Sequence, residues 1–265
     1  MARGELTYFS DALCREVSFR FIVPNDIAEK KTEDNPYFRR PTKTLLLLHG
    51  YNGMNSDWML HSNILELSEK YNIAVVCPSG ENSFYLDGRE SGRAFATFVG
   101  KELMDYVHKT FGLSPKKEDN FAGGLSMGGF GALHTVLQFP ERFFGAFGLS
   151  SAMIQYEVTE LAPDIDNGIA NYDYYRMIWG DLSDIEHSIS NPDELVRRIQ
   201  AAGGTVPKLY MAMGTEDNLL KNHRRFHEFL VERNVDVRYI ETEGRHDYDF
   251  WSRNLEPAIR YFMPL

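Results

Sequence analysis

The stretch Asn120-Phe-Ala-Gly-Gly-Leu-Ser-Met-Gly-Gly-Phe-Gly131 restricts what this chain can fold into more than any other. It reads as a buried strand, a sharp turn and a helix, with Ser126 at the turn. A serine alcohol is a poor nucleophile until a neighbouring base takes its proton, so such a turn must lift the hydroxyl clear of the sheet. The strained elbow that does this brings the residues two before and two after the serine almost into contact. Gly124 and Gly128 supply the missing side chains there. Met127 opens the helix, so its backbone N–H points to the space above Ser126 where an oxyanion would form. The segment Met127 to Phe139 is helical in pattern, has extra glycines at Gly129 and Gly131 for close packing, and meets a stop at Pro140. The Gly-Lys-Ser/Thr ending of a phosphate-binding loop is missing.

The flanking sequence supplies a sheet for this elbow. Val17, Phe19, Phe21 and Val23 alternate within Arg15 to Val23, which predicts a half-buried antiparallel strand paired with Leu6 to Phe9. After a charged loop from Asn25 to Pro41, Thr44-Leu-Leu-Leu-Leu48 is an unbroken apolar run suited to a strand covered on both faces. A helix from Asn55 or Ser56 to about Lys70 and a strand at Ile73 to Cys77 follow. The spacing next predicts a long helix from about Ser91 to Phe111, with Phe95, Phe98, Val99, Leu103, Tyr106 and Val107 on one face. Further strands are expected near Phe144 to Ser150, Lys208 to Met213 and Val235 to Glu241, with a helix from about Asn218 to Arg233 between the last two. Strand and helix thus alternate as in an α/β fold with a mostly parallel central sheet.

Between residues 151 and 206 the alternation fails, and aromatic and acidic residues accumulate. Loops of that length are uncommon in compact domains unless they serve a purpose, so this insertion is expected to be a small cap within one domain spanning 1–265. Tyr172, Tyr174, Tyr175 and Trp179 are its candidate substrate-binding residues.

A serine nucleophile needs a base, and the base needs an acid to orient it. Of the eight histidines, His187, His223, His227 and His246 follow Ser126 with room for an intervening acid. His246 lies just beyond the last expected strand, the loop position a base must occupy. His223 and His227 fall within an expected helix and are read as solvated. Asp217, directly beyond the preceding strand, is the candidate acid and also suits the N-cap of the next helix. Glu216 is the reserve, and Asp247 and Asp249 flank the base too closely. The second oxyanion N–H is expected from the loop after His49, from Tyr51 first and Asn52 next, with His49 bracing that loop. The His223/His227 spacing lacks the His-Glu-x-x-His pattern of a zinc site, so neither metal nor organic cofactor is expected.

The 38 acidic residues outnumber the 28 basic ones, for a formal net charge of −10, which disfavours nucleic acid and anionic membranes as partners. An uncharged small molecule fits better. No basic segment leads into an apolar run at Met1-Ala-Arg-Gly-Glu-Leu-Thr-Tyr, and only Cys14 and Cys77 are present, both read as buried free thiols. A cytoplasmic location is therefore expected, with a homodimer as an allowed assembly.

His49-Gly-Tyr-Asn-Gly, Gly124-Leu-Ser-Met-Gly-Gly-Phe-Gly, Gly214-Thr-Glu-Asp and Gly244-Arg-His-Asp-Tyr-Asp-Phe-Trp251, in this order, resemble the esterase D-like α/β-hydrolases. That group includes bacterial tributyrin esterases, S-formylglutathione hydrolases and the feruloyl and acetyl esterases of carbohydrate esterase family 1. The resemblance spans nearly the whole chain. It implies an α/β-hydrolase fold, a triad of Ser126, Asp217 and His246, and an oxyanion hole at the N–H groups of Met127 and Tyr51. It further implies hydrolysis of short acyl or hydroxycinnamoyl esters, free or carbohydrate-linked, through an acyl-enzyme. A thioesterase or acyltransferase is the related alternative, and a non-catalytic binding module the alternative of another class. Where S-formylglutathione hydrolases have a Pro-Asp-Thr-Ser type segment, this chain has Pro78-Ser-Gly-Glu-Asn-Ser-Phe84, which turns the resemblance towards the tributyrin and feruloyl types.

Overall fold

Successive side chains of an extended strand point to opposite sides, so four consecutive leucines, Leu45 to Leu48, need apolar cover on both faces. The computed structural model, which describes residues 1–264, provides it. Leu46 and Leu48 pack with Val76, Ala122, Phe130, Leu133 and Met211 on one face, and Leu45 and Leu47 with Val75, Phe121, Phe147, Leu255 and Ile259 on the other.

The strands are β1 (Ala2–Ser10), β2 (Arg15–Val23), β3 (Lys43–Leu48), β4 (Ile73–Pro78), β5 (Asn120–Leu125), β6 (Gly145–Leu149), β7 (Lys208–Gly214) and β8 (Val237–Thr242). They form one eight-stranded sheet in the order β1-β2-β4-β3-β5-β6-β7-β8. β1 and β2 are antiparallel, β2 meets β4 antiparallel, and every pair from β4 to β8 is parallel. The fold is therefore the expected α/β one. The carboxyl ends of β3, β5, β7 and β8 emerge on one side, where open parallel sheets bind ligands. The helices Met127–Gln138 and Leu220–Glu232 cover the first face, and Ile64–Tyr71 and Tyr248–Tyr261 the second. Between β6 and β7 lie the helices Gln155–Val158, Tyr172–Trp179 and Pro192–Ala201.

Local chemistry alters several sequence expectations. The helix expected from Ser56 to Lys70 divides into Asp57–His61 and Ile64–Tyr71, because the Ser62 hydroxyl donates to the Trp58 carbonyl and accepts from the Ile64 N–H. Such side-chain bonds compete with the helical ladder. The helix expected from Ser91 starts at Phe95 and widens into a π turn over Phe98–Glu102, where Gly100 lies against the Phe139 ring. Cys14 is exposed in the tight turn between β1 and β2, at φ 52°, rather than buried in a strand. Cys77 is buried in β4, and burial pushes its thiol up to about 12.

His223 is also a correction. It faces inward from its helix and is fully buried, whereas His227 is half-buried and stacks on Tyr239 at 4.0 Å between centroids. Burial lowers His223 to about 3 and His134, buried in the helix Met127–Gln138, to about 4. Both imidazoles are thus neutral in the folded protein near neutral pH. Between the unperturbed value of 6.5 and these lowered values the unfolded chain binds more protons, so stability falls as the pH falls. Each buried histidine should cost about 2 kcal/mol between about pH 6.5 and 4.5. Urea unfolding across that range should show the slope, and His223→Gln should flatten it. An unchanged slope in the variant would remove His223 from the acid sensitivity.

Candidate active site

The elbow after β5 sets the site. Ser126 holds φ 53° and ψ −120°, a left-handed backbone that costs on the order of 1–3 kcal/mol for a residue with a side chain. Neighbouring bonds hold it there: the Ser126 N–H donates to Leu149 O at 2.9 Å, and its carbonyl accepts from Phe130 N and Ala152 N at 3.0 Å. A Cβ on Gly124 would run into the Gly128 carbonyl, and a Cβ on Gly128 into the carbonyls of Leu48 and His49. The elbow can therefore close only with hydrogen at both positions.

Two further loops reach the serine. Asp217 follows β7 and His246 follows β8, and Gly214 lies so close to the Gly244 carbonyl that a side chain there would separate the loops. Glu216 N–H donates to Gly244 O at 2.9 Å, joining them directly. His246 Nε2 stands 2.9 Å from Ser126 Oγ, and His246 Nδ1 stands 2.8 Å from Asp217 Oδ2. The carboxyl of Asp217 is buried, and burial alone would raise its pKa. Hydrogen bonds from His246 and from the Leu219 N–H outweigh that and hold it below the usual carboxylate range. An ionised carboxylate only accepts, so Nδ1 carries the imidazole proton and Nε2 is left to accept the Ser126 hydroxyl hydrogen. Asp217 also opens the helix Leu220–Glu232, accepting from Leu219 N at 2.9 Å through its side chain and from Leu220 N at 3.1 Å through its carbonyl. The reserve acid, Glu216, instead pairs with Arg245 at 2.9 Å on the exposed side.

The loop after β3 supplies the other wall. His49 Nε2 accepts from Gly80 N at 2.8 Å, which leaves its proton on Nδ1, where it donates to Gly50 O at 2.7 Å. Burial lowers the pKa of this ring, in keeping with a neutral imidazole used as a brace. Asn52 N–H is taken by Asn82 Oδ1 at 2.7 Å. Among the described residues, the N–H groups of Tyr51 and Met127 have no protein partner. Tyr51, Met127, Ser126 and His246 all line one cavity of about 670 Å³.

Tyr174 and Tyr175 line that cavity, and Tyr172 and Trp179 do not. Trp179 is buried against Phe84 and Phe130, at 5.5 and 5.1 Å between centroids, because the helix Tyr172–Trp179 turns that side to the core. Sequence reasoning missed Asn82, Glu157, Asn167, Ile169 and Leu219, which also line the cavity. No motif marks them: Glu157, Asn167 and Ile169 depend on how the 151–206 segment folds back, and Asn82 and Leu219 on where the loops after β4 and β7 run. Among the described residues, no three His, Cys, Asp or Glu side chains cluster to hold a metal, and no helix is long and apolar enough to cross a membrane.

A carboxylate, an imidazole and a hydroxyl in one hydrogen-bonded line, beside two free N–H groups, can deliver an alkoxide to a carbonyl and hold the resulting oxyanion. Residues 10–262 match the family described as "Putative esterase", and the chain belongs to that family. It is 40% identical over 261 residues to an acetyl esterase of Caldicellulosiruptor saccharolyticus, covering 98% of each chain. Among solved structures it is similar to FphF, a fluorophosphonate-binding serine hydrolase of Staphylococcus aureus, with a TM-score of 0.84 and 27% identity over 100% of this chain and 99% of that one. The S-formylglutathione hydrolase FrmB of Staphylococcus aureus superposes with a TM-score of 0.82 and 27% identity over 99% of both chains. The protein is a serine esterase of the α/β-hydrolase fold.

The elbow gives a direct test. Gly128→Ala should lower Tm by about 3–10 °C, because β3 cannot retreat from the added methyl. Esterase activity per folded molecule should fall roughly 10²-fold as Ser126 is displaced. Wild-type turnover in the variant would show that the close approach is dispensable.

Proposed function

We propose that this enzyme hydrolyses short-chain acyl esters, acetyl esters foremost, through an acyl-enzyme on Ser126. The observation that carries the reading is the single line from Asp217 through His246 to Ser126, ending beside the N–H groups of Met127 and Tyr51. Ser126 Oγ attacks the ester carbonyl while His246 Nε2 takes its proton, and Asp217 stabilises the imidazolium that forms. The oxyanion settles between the Met127 and Tyr51 N–H groups. His246 then returns the proton to the departing alcohol. Water, deprotonated by the same nitrogen, attacks the acyl group and frees Ser126.

The acetyl preference rests on the curated relative that bears that name. A cavity of about 670 Å³ exceeds what an acetyl group needs, so it leaves space for a bulky alcohol or a hydroxycinnamoyl acyl group. The segment 151–206 acts as the cap, with Tyr174 and Tyr175 as its aromatic wall. Among the lining residues there is Glu157 but no arginine or lysine, which disfavours glutathione thioesters, whose two carboxylates outnumber their one ammonium.

Ser126→Ala and His246→Ala should each lower kcat by roughly 10⁴-fold or more, and the double variant should be scarcely worse, since base and nucleophile act as a unit. Asp217→Asn should lose roughly 10³–10⁴-fold. Glu216→Gln should remain within about threefold of wild type, because it breaks only an exposed ion pair. A crippled Glu216→Gln enzyme would reassign the acid. For the substrate, kcat/KM should fall from acetyl and butyryl esters through feruloyl esters to S-formylglutathione. S-formylglutathione at the head of that series would overturn the acyl-ester reading.

A further inference from the structure

We propose that Asn82 is a positioning residue for the oxyanion hole, acting through a two-bond clamp on Asn52; this rests on the reading of Tyr51 N–H as an oxyanion donor. Gly53 N–H donates to Gly50 O at 3.0 Å, closing a four-residue turn with Tyr51 and Asn52 at its centre. Asn52 holds φ 60°, the left-handed backbone that the third residue of a type II turn requires. The Asn82 carboxamide then takes both polar groups of that residue. Its Oδ1 accepts the Asn52 N–H at 2.7 Å, and its Nδ2 donates to Asn52 Oδ1 at 2.9 Å.

Burial does not demand this pairing. Asn52 is exposed and Asn82 only half-buried, so water could satisfy the same groups at similar enthalpy. What water could not do is fix the turn. Tyr51 lies between two anchored points, His49, whose ring ties to Gly80, and Asn52, whose backbone and side chain tie to Asn82. Both ties run to one splint, the loop Gly80 to Leu86.

That splint is itself immobilised. The Tyr85 hydroxyl donates to His49 O at 3.0 Å, the Ser83 hydroxyl donates to Gly80 O at 2.6 Å, and Tyr85 N–H donates to Ser83 Oγ at 3.0 Å. From the segment above, the Tyr174 hydroxyl donates to the Asn82 carbonyl. A donor aimed in advance at a developing oxyanion stabilises it without reorganising during the reaction, so freeing the Tyr51 turn should slow chemistry rather than weaken ground-state binding.

Three variants test the clamp, each with its active fraction counted by fluorophosphonate titration and its Tm measured. Asn82→Ala removes both bonds and should lower kcat by about 10- to 100-fold with KM within about twofold. Asn52→Gly keeps the left-handed backbone and its N–H but loses one bond, so its loss should be smaller, about threefold. The double variant should be no worse than Asn82→Ala, because one clamp can be opened only once. Affinity for a trifluoromethyl ketone, which forms an oxyanion adduct on Ser126, should fall by the same factor as kcat/KM. Affinity for the matching methyl ketone should not change. A rise in KM at constant kcat, or single losses that multiply in the double variant, would overturn the proposal. Turnover retained by Ser126→Ala would instead sink the reading of the site, whatever Asn82 does.

Discussion

The two hydrogen bonds of the His246 ring, at 2.9 Å to Ser126 and 2.8 Å to Asp217, tie together loops from three strands of one sheet. Everything else in the molecule can be read as what keeps those distances. The strands β5, β6, β7 and β8 are consecutive in the sheet and parallel, so the loops leaving β5, β7 and β8 emerge at one edge. The inner parallel strands are buried on both faces, which explains why β3 and β5 to β7 are mostly apolar, while the edge strand β8 keeps Arg238 and Glu241. The backbone strain at Ser126 persists because the helix Met127–Gln138 is buried along most of its length and cannot relax away from it.

Glycine recurs wherever two backbones must touch at this edge. Gly124 and Gly128 let the elbow close on itself and on β3, and Gly214 lets the loop bearing Asp217 lie on the one bearing His246. The same residue type thus serves two junctions that the chemistry needs at once. Polar side chains do the complementary work on the other wall. His49 and Asn82 each hold a backbone N–H of the facing loop, so the unpartnered N–H of Tyr51 is framed by satisfied groups.

The cavity divides by origin. Its reacting end comes from strand termini of the sheet, and much of its outer wall comes from the segment between β6 and β7, through Glu157, Asn167, Ile169, Tyr174 and Tyr175. The reacting end and much of the outer wall thus come from different stretches of chain, an arrangement common where loops are carried on a rigid sheet.

Local sequence determined the elements whose causes are local. Short unbroken apolar runs between turn residues suit strands with two covered faces, and two glycines flanking Ser126 at a spacing of two residues suit a place where backbones collide, so sheet and elbow were legible. Candidate base and acid were legible too, since each lies in the loop just beyond an expected strand. Tertiary structure decided what depends on the far side of a helix or on a remote loop. His223 and Trp179 carry polar atoms and read as solvated or cavity-lining, yet their helices turn them into the core. Glu216 and Asp217 are adjacent and chemically alike. Only the folded turn directs Asp217 to His246 and Glu216 to Arg245. Asn82 and Asn52 stand thirty residues apart, and the pairing exists because β3 and β4 are neighbours whose loops leave side by side. Periodicity records which face of an element is apolar, but the partner across a gap is set by the packing of whole elements, which no local pattern encodes.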